Sequence, residues 1–156
     1  MLPPDLITET RILSRCGISS KKRLIESLGE LLAEADPALS TETVFERLLE
    51  RERLGSTGLG HGIALPHARV DKLVAPIGAF IQLREAVEFD AIDDLPVDLA
   101  FALLVPQAAD ERHLQLLASL AEMFNDPALR KQLRGGASSG ELFNALTRWA
   151  PSTDAS

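Results

Sequence analysis

Two stretches of this chain fix most of its architecture. "VAPIGAFIQL" (74–83) and "VDLAFALLVP" (97–106) are nearly continuous apolar runs bounded by turn-forming residues. Each falls well short of the roughly 20 apolar residues that cross a bilayer. Runs of this length and composition suit strands buried on both faces. Such strands must be covered on both sides, so the expected class is an α/β layered domain with helices outside and apolar strands inside. The 156 residues suit one domain and can bury a substantial core.

The helices that would cover these strands can be placed by their caps. A short apolar piece near Arg11–Leu13 comes first; then Ser19 or Ser20 can cap a helix that carries Leu24, Ile25, Leu28, Leu31 and Leu32 on one stripe. A second helix starts at Ser40, with Glu42 in its first turn. It buries Val44, Phe45, Leu48 and Leu49 and ends near Arg53, before Gly55. "EFDAIDDLP" supplies the turn between the two apolar runs. Asp110 caps a long helix whose expected inner residues are Leu114, Leu117, Leu120, Ala121 and Phe124. Asp126-Pro127 opens a further helix that Gly135-Gly136 closes. Ser138-x-x-Glu141 reads as a capping box for the last helix, with Leu142, Phe143, Leu146 and Trp149 facing inward. The domain is expected over 6–149, with flexible ends at 1–5 and 150–156.

Composition removes several function classes. With 16 basic against 23 acidic residues the net charge is −7, which argues against a nucleic-acid binder. The one basic cluster, "KKR" at 21–23, reads as a solvated helix face. The amino terminus "MLPPDLITETR" does not read as a secretion signal, and no run is expected to enter a membrane. The single cysteine, Cys16, cannot form an internal disulfide and reads as an inert thiol, which fits a reducing cytoplasm.

The chemistry concentrates in "RERLGSTGLGHGIALPHAR" (51–69). Glycines at 55, 58, 60 and 62 exclude a regular helix there; short extended pieces are expected around Ser56–Gly60 and Ile63–Leu65. "GLGHG" has neither the G-x-G-x-x-G nor the G-x-x-x-x-G-K-[ST] spacing, so a nucleotide loop is not expected. Pro66 stiffens the chain directly before His67 and would present that imidazole in a defined direction. On residue chemistry alone His67 reads equally as a functional group or a core histidine. His61 reads as a surface loop histidine, because no third and fourth ligand of metal spacing accompanies it. Ser56-Thr57 lack a nucleophile elbow and are expected to hydrogen-bond within the turn or orient the imidazole. His113 stands at the first turn of a helix, where free N–H groups and the dipole favour an anion; a helix-surface histidine is the other reading.

Taken together, "RERLGSTGLGHGIALPHAR", "EFDAIDDLPVDLAFALLVP" and "HLQLLASLAEMF" resemble the mannitol/fructose-type IIA domains of the bacterial phosphotransferase system, most closely their nitrogen-regulatory branch. The resemblance runs from about Leu6 to Trp149. It implies a mixed β-sheet flanked by helices. It also implies that His67 is phosphorylated, with Nε2 attacking, that His113 hydrogen-bonds the phosphoryl group, and that Arg51 is a charged residue flanking the site. His61 stands where Asn is expected, and Ala68 where Gly is common.

The function implied is that of a cytoplasmic phosphohistidine carrier rather than a free-standing turnover enzyme, with no metal and no nucleotide cofactor. Its donor would be a phosphorylated HPr-like carrier. Its output would be regulation of partner proteins such as potassium-transport regulators. The alternative output is transfer to a separate fructose- or mannitol-type permease subunit. The second ring nitrogen of His67 should be held by a backbone carbonyl of the glycine-rich segment. The overall acidity is compatible with a donor whose docking face is basic.

Overall fold

The computed structural model describes residues 2–3, 5–108 and 110–150. The flexible ends expected at 1–5 and 150–156 concern chiefly residues 1, 4 and 151–156, which lie outside the described ones. The elements in chain order are β1 (Ile12–Cys16), α1 (Lys21–Ala33), α2 (Thr41–Leu54), β2 (Gly58–Gly60), β3 (Ile63–Ala64), β4 (His67–Val70), β5 (Ile77–Val87), β6 (Val97–Pro106), α3 (Glu111–Phe124), α4 (Pro127–Gly135) and α5 (Ser139–Arg148).

The two apolar runs become the central pair of a mixed six-stranded sheet ordered β1-β5-β6-β3-β2, with β4 also pairing β6. β5 and β6 are antiparallel, with Phe80 opposite Phe101. β1 runs parallel to β5, and β3 and β4 run parallel to β6. From Leu99 onward the side chains of β6 alternate between two cores, and Val97, next to the register shift, joins the first. Val97, Ala100, Ala102 and Leu104 meet α1 and α2. Leu99, Phe101, Leu103 and Val105 meet the residues of α3, α4 and α5. This is the layered α/β arrangement read from the runs, and the mixed sheet that the resemblance implied.

The caps fall where the residues put them. Ser20 accepts from Arg23 N–H, Ser40 from Thr43 N–H, Asp110 from Arg112 N–H, Asp126 from Ala128 N–H and Ser138 from Glu141 N–H. The box expected at Ser138 is only half formed, because the Glu141 carboxylate accepts from Ala137 N–H, one residue further out. The reciprocal box forms at α3 instead: His113 Nδ1 accepts from the backbone N–H of Asp110 at 3.2 Å.

Three expectations need correction. The strand expected over 74–83 is β5, Ile77–Val87. Pro76 lacks the N–H that a ladder needs, and the far end is prolonged by pairing of Val87 with Val97 past a register shift. The inner face of α3 is Leu116, Leu120, Met123 and Phe124, whereas Leu114 is 58% exposed. Leu114 turns instead toward the cavity described below. Lys21 is not part of a solvated face: its ammonium lies 3.0 Å from the buried Glu52 carboxylate and 4.6 Å from the Phe89 ring centroid. Its neighbours Lys22 and Arg23 are exposed, as expected.

Candidate functional site

The glycine-rich segment folds into a β2–β3 hairpin whose two turn residues, His61 and Gly62, both have positive φ (57° and 80°). A two-residue hairpin of this kind favours Asn-Gly. His61 therefore replaces Asn as a turn residue, since histidine tolerates this conformation better than most side chains. Its N–H donates to Asp93 Oδ2 at 2.9 Å. Gly62 has no room for more: an added Cβ would lie 2.7 Å from Asp98 Oδ1 and still nearer Arg134. Arg134 donates to both carboxylate oxygens of Asp98, each at 2.9 Å, and to the carbonyl of His61.

After the hairpin the chain runs along the edge of β6. Pro66 has no N–H to offer the ladder, although its carbonyl accepts from Leu103 N–H at 2.9 Å. That interruption splits one lane into β3 and β4, and His67 opens β4 opposite Leu103. Reading the sequence placed His67 after a strand end; it is the first residue of a strand. Four residues, HARV, are too short and too polar to announce a strand by themselves.

His67 is half-buried. Its Nδ1 lies 2.9 Å from the carbonyl oxygen of Leu65. A carbonyl only accepts, so the neutral ring carries its proton on Nδ1 and leaves the Nε2 lone pair open. Burial pushes the imidazole below its usual value. The Leu65 carbonyl opposes that shift, Arg51 adds to it, and Glu52 opposes it. The neutral, nucleophilic form is thereby favoured at neutral pH.

His67, His113 and Arg51 line one cavity of about 670 Å³, between the end of α2, β4 and the start of α3. The positions singled out by the resemblance are thus brought together. His61 lies at the hairpin tip and does not line this cavity. His113, with Nδ1 accepting from Asp110 N–H, keeps its proton on Nε2 in the neutral form and offers a donor. The Asp110 carboxylate also stands 3.5 Å from that Nδ1; the backbone contact is the shorter of the two. Arg51 is held by donating from Nη1 to the carbonyl of Gly55 at 2.9 Å, just past its own helix.

Arg47, Arg53 and Arg69 join Arg51 around the cavity, with Glu50 as the only carboxylate among its lining residues. The net charge of −7 therefore misdescribes this face, and the expectation of steering by overall acidity does not transfer to it. Such a setting suits a group whose negative charge grows on reaction. Among the described residues no three His, Cys, Asp or Glu side chains gather where they could hold a metal ion. Among the same residues no helix is long and apolar enough to cross a membrane.

Ser56 hydrogen-bonds within the turn, as the sequence led us to expect, whereas the grip of Glu52 on Thr57 was not foreseen. Ser56 Oγ donates to the Phe89 carbonyl and accepts from Gly58 N–H. Thr57 is fixed by Glu52. The one local signal was a carboxylate in the last turn of α2, at the dipole's negative end, where it is disfavoured unless something holds it.

Residues 5–149 match the family described as "Phosphoenolpyruvate-dependent sugar phosphotransferase system, EIIA 2". The chain is 44% identical over 142 residues to a nitrogen regulatory protein of Pseudomonas aeruginosa, covering 91% of this chain and 92% of that one. It is 38% identical over 115 residues to the fructose-specific EIIA component of a phosphotransferase system in Haloferax volcanii, covering 74% and 75% of the two chains. Its fold superposes on the crystal structure of nitrogen regulatory protein IIA-Ntr from Neisseria meningitidis with a TM-score of 0.84, at 44% identity, covering 90% of this chain and 96% of that one. The chain belongs to the EIIA 2 family of the phosphoenolpyruvate-dependent phosphotransferase system.

Proposed function

We propose that this protein is a cytoplasmic phosphohistidine carrier that accepts a phosphoryl group on His67 Nε2 from the phosphohistidine of an HPr-like carrier. In this reading its phosphorylation state then governs binding to regulatory partners in nitrogen and potassium metabolism. The observation that carries the reading is the Leu65 carbonyl on His67 Nδ1, which leaves Nε2 as the free nitrogen in an arginine-lined cavity.

The Nε2 lone pair forms the new N–P bond while the donor's P–N bond breaks and its electron pair returns to the donor imidazole. The Nδ1 proton of His67 stays on its bond to Leu65. The transition state is loose and carries charge on the equatorial oxygens. His113 Nε2–H and the Arg51 guanidinium are the groups that would meet that charge. Because the Nδ1 proton is retained, the transfer adds a net charge of about −1 to this face, concentrated on the phosphoryl oxygens, enough to change which partners it fits.

Transfer from a reconstituted chain of phosphoenolpyruvate, enzyme I and HPr-like carrier tests the reading. Wild type gains an acid-labile phosphate, and His113→Ala gains it about 100-fold more slowly, the effect of one lost charge-stabilising donor. Equal rates for His113→Ala and wild type would remove His113 from the reaction. The fructose-specific relative supports a second output, transfer onward to a permease subunit. Loss of label to an added fructose-type IIB domain would favour that output over regulation.

The lowered proton affinity of His67 sets a pH dependence. An ordinary histidine titrates near 6.5, so His67 stays neutral to a lower pH, and the acceptance rate should hold as pH falls through about 6.5. Stability follows the same sign. Below about 6.5 the unfolded chain takes up a proton that native His67 resists, so His67 makes the fold lose stability as pH falls. An NMR titration of the His67 ring with a midpoint at or above 6.5 contradicts both statements.

A further inference from the structure

Glu52 takes no part in the transfer step, yet among the described residues it is the only buried carboxylate, 8% exposed. Its two oxygens grip one residue. Oε2 accepts from Thr57 N–H at 3.0 Å, and Oε1 accepts from the Thr57 hydroxyl at 2.6 Å. Lys21 Nζ holds the same carboxylate at 3.0 Å, and it donates to the Phe89 carbonyl at 3.1 Å. Beyond Thr57 the connection continues. The Thr57 carbonyl accepts from Leu65 N–H at 2.9 Å, and the Leu65 carbonyl holds His67 Nδ1 at 2.9 Å. A hydrogen-bonded path thus runs from Lys21 through Glu52, Thr57 and Leu65 to the imidazole.

The backbone along this path has little slack. A Cβ on Gly58 would lie 2.7 Å from Ala91 Cβ, so the peptide after Thr57 is pressed against that residue. A buried ion pair is an inefficient way to hold a helix end, since well-packed apolar side chains often serve stability as well or better. A carboxylate in the last turn of α2 also opposes the helix dipole. What the carboxylate offers, and an apolar side chain does not, is a two-point grip that fixes the orientation of Thr57.

We infer that Glu52 is a positioning residue for His67: by clamping Thr57 it fixes the Leu65 carbonyl, which keeps the imidazole proton on Nδ1 and Nε2 open. The inference rests on the proposed role of His67 for its consequence on transfer, but not for its effect on the ring. Both can be read separately in the full-length protein, labelled with ¹⁵N, as wild type, Glu52→Gln, Thr57→Val and Thr57→Ser. Long-range ¹H–¹⁵N spectra report which ring nitrogen of His67 carries the proton. Phosphoramidate, a small phosphoryl donor, reports acceptance without a carrier.

Wild type and Thr57→Ser should show Nδ1–H throughout. Glu52→Gln should shift the ring nitrogens toward a mixture of tautomers and accept phosphate roughly 10-fold more slowly, the scale of a lost supporting hydrogen bond. Thr57→Val should move both readouts the same way by less, because the N–H grip remains. Unchanged ring shifts in correctly folded Glu52→Gln and Thr57→Val would overturn the inference, as would slower acceptance with an unchanged ring. Should Glu52→Gln fail to fold, the comparison of Thr57→Val with Thr57→Ser decides. Should wild type take no phosphate from phosphoramidate, the same variants are compared with the phosphorylated carrier as donor; no acceptance from either donor ends the proposed function, and the ring spectra still decide the role of Glu52.

Discussion

His67→Ala gains no acid-labile phosphate from the reconstituted donor chain, while its fold persists. The loss is complete because the other two imidazoles are not equivalent substitutes. His113 uses its Nδ1 lone pair on Asp110 N–H, so in the neutral ring Nε2 carries the proton and has no lone pair with which to attack. His61 sits on the hairpin tip with its backbone tied to Asp93, and it does not line the cavity. Only His67 is left with a free lone pair in the arginine-lined space. The substitution removes a half-buried side chain at the start of a strand, so the sheet should survive it. Acid-labile phosphate on the alanine variant, at anything near the wild-type extent, would return the assignment to His61 or His113.

The largest expected effect on stability comes from Phe101→Ala. Phe101 is fully buried in the centre of β6, with ring centroids 6.4 Å from Phe80 and 5.9 Å from Phe124. Its ring also fills the space over Gly78, where an added Cβ would lie 2.7 Å from it. Truncation removes the apolar contacts and leaves a cavity that the sheet cannot close, at a cost of about 3–5 kcal/mol. For a domain of this size each kcal/mol lowers Tm by about 2–4 °C. A fall of roughly 10 °C is therefore expected by calorimetry, or an equivalent drop in urea midpoint with unchanged slope. A loss below about 1 kcal/mol would mean that this face of the sheet is not packed as described. Leu103, two residues along the same strand, pairs with His67, so the same core underlies the site.

The elements that could be read from residues alone are those with a strong local cause. α1, α2, α4 and α5 have a capping side chain followed by an apolar stripe. β6 is a nearly continuous apolar run, broken only by Asp98, whose bounds match. β4 could not be read, because its pairing comes from β6 and its own residues carry no period. The rotation of α3 was misjudged for a similar reason: the stripe through Leu114 and Leu117 is as regular as the one through Leu116, Leu120 and Met123, and only the sheet decides between them.

The site shows the same division. Pro66 and the glycines mark His67 locally. His113 and Arg51 reach the same cavity from α3 and α2, a proximity that no spacing in the chain expresses and that only the family resemblance brought forward. Glu52 and Lys21 went unread because each looks like an ordinary helical charge; the burial of Glu52 and its pairing with Lys21 arise where α1 and α2 meet the segments carrying Thr57 and Phe89. Gly62 and His61 are clearer in retrospect, since a two-residue hairpin with positive φ at both positions explains both residues without any role in transfer.

The measurement closest to the central claim is a long-range ¹H–¹⁵N spectrum, with ³¹P coupling, of the phosphorylated wild-type protein. Phosphorus should be bonded to Nε2 of His67, with the Nδ1 proton retained on its bond to Leu65. Phosphorus on Nδ1 of His67, or on either of the other two histidines, would contradict it.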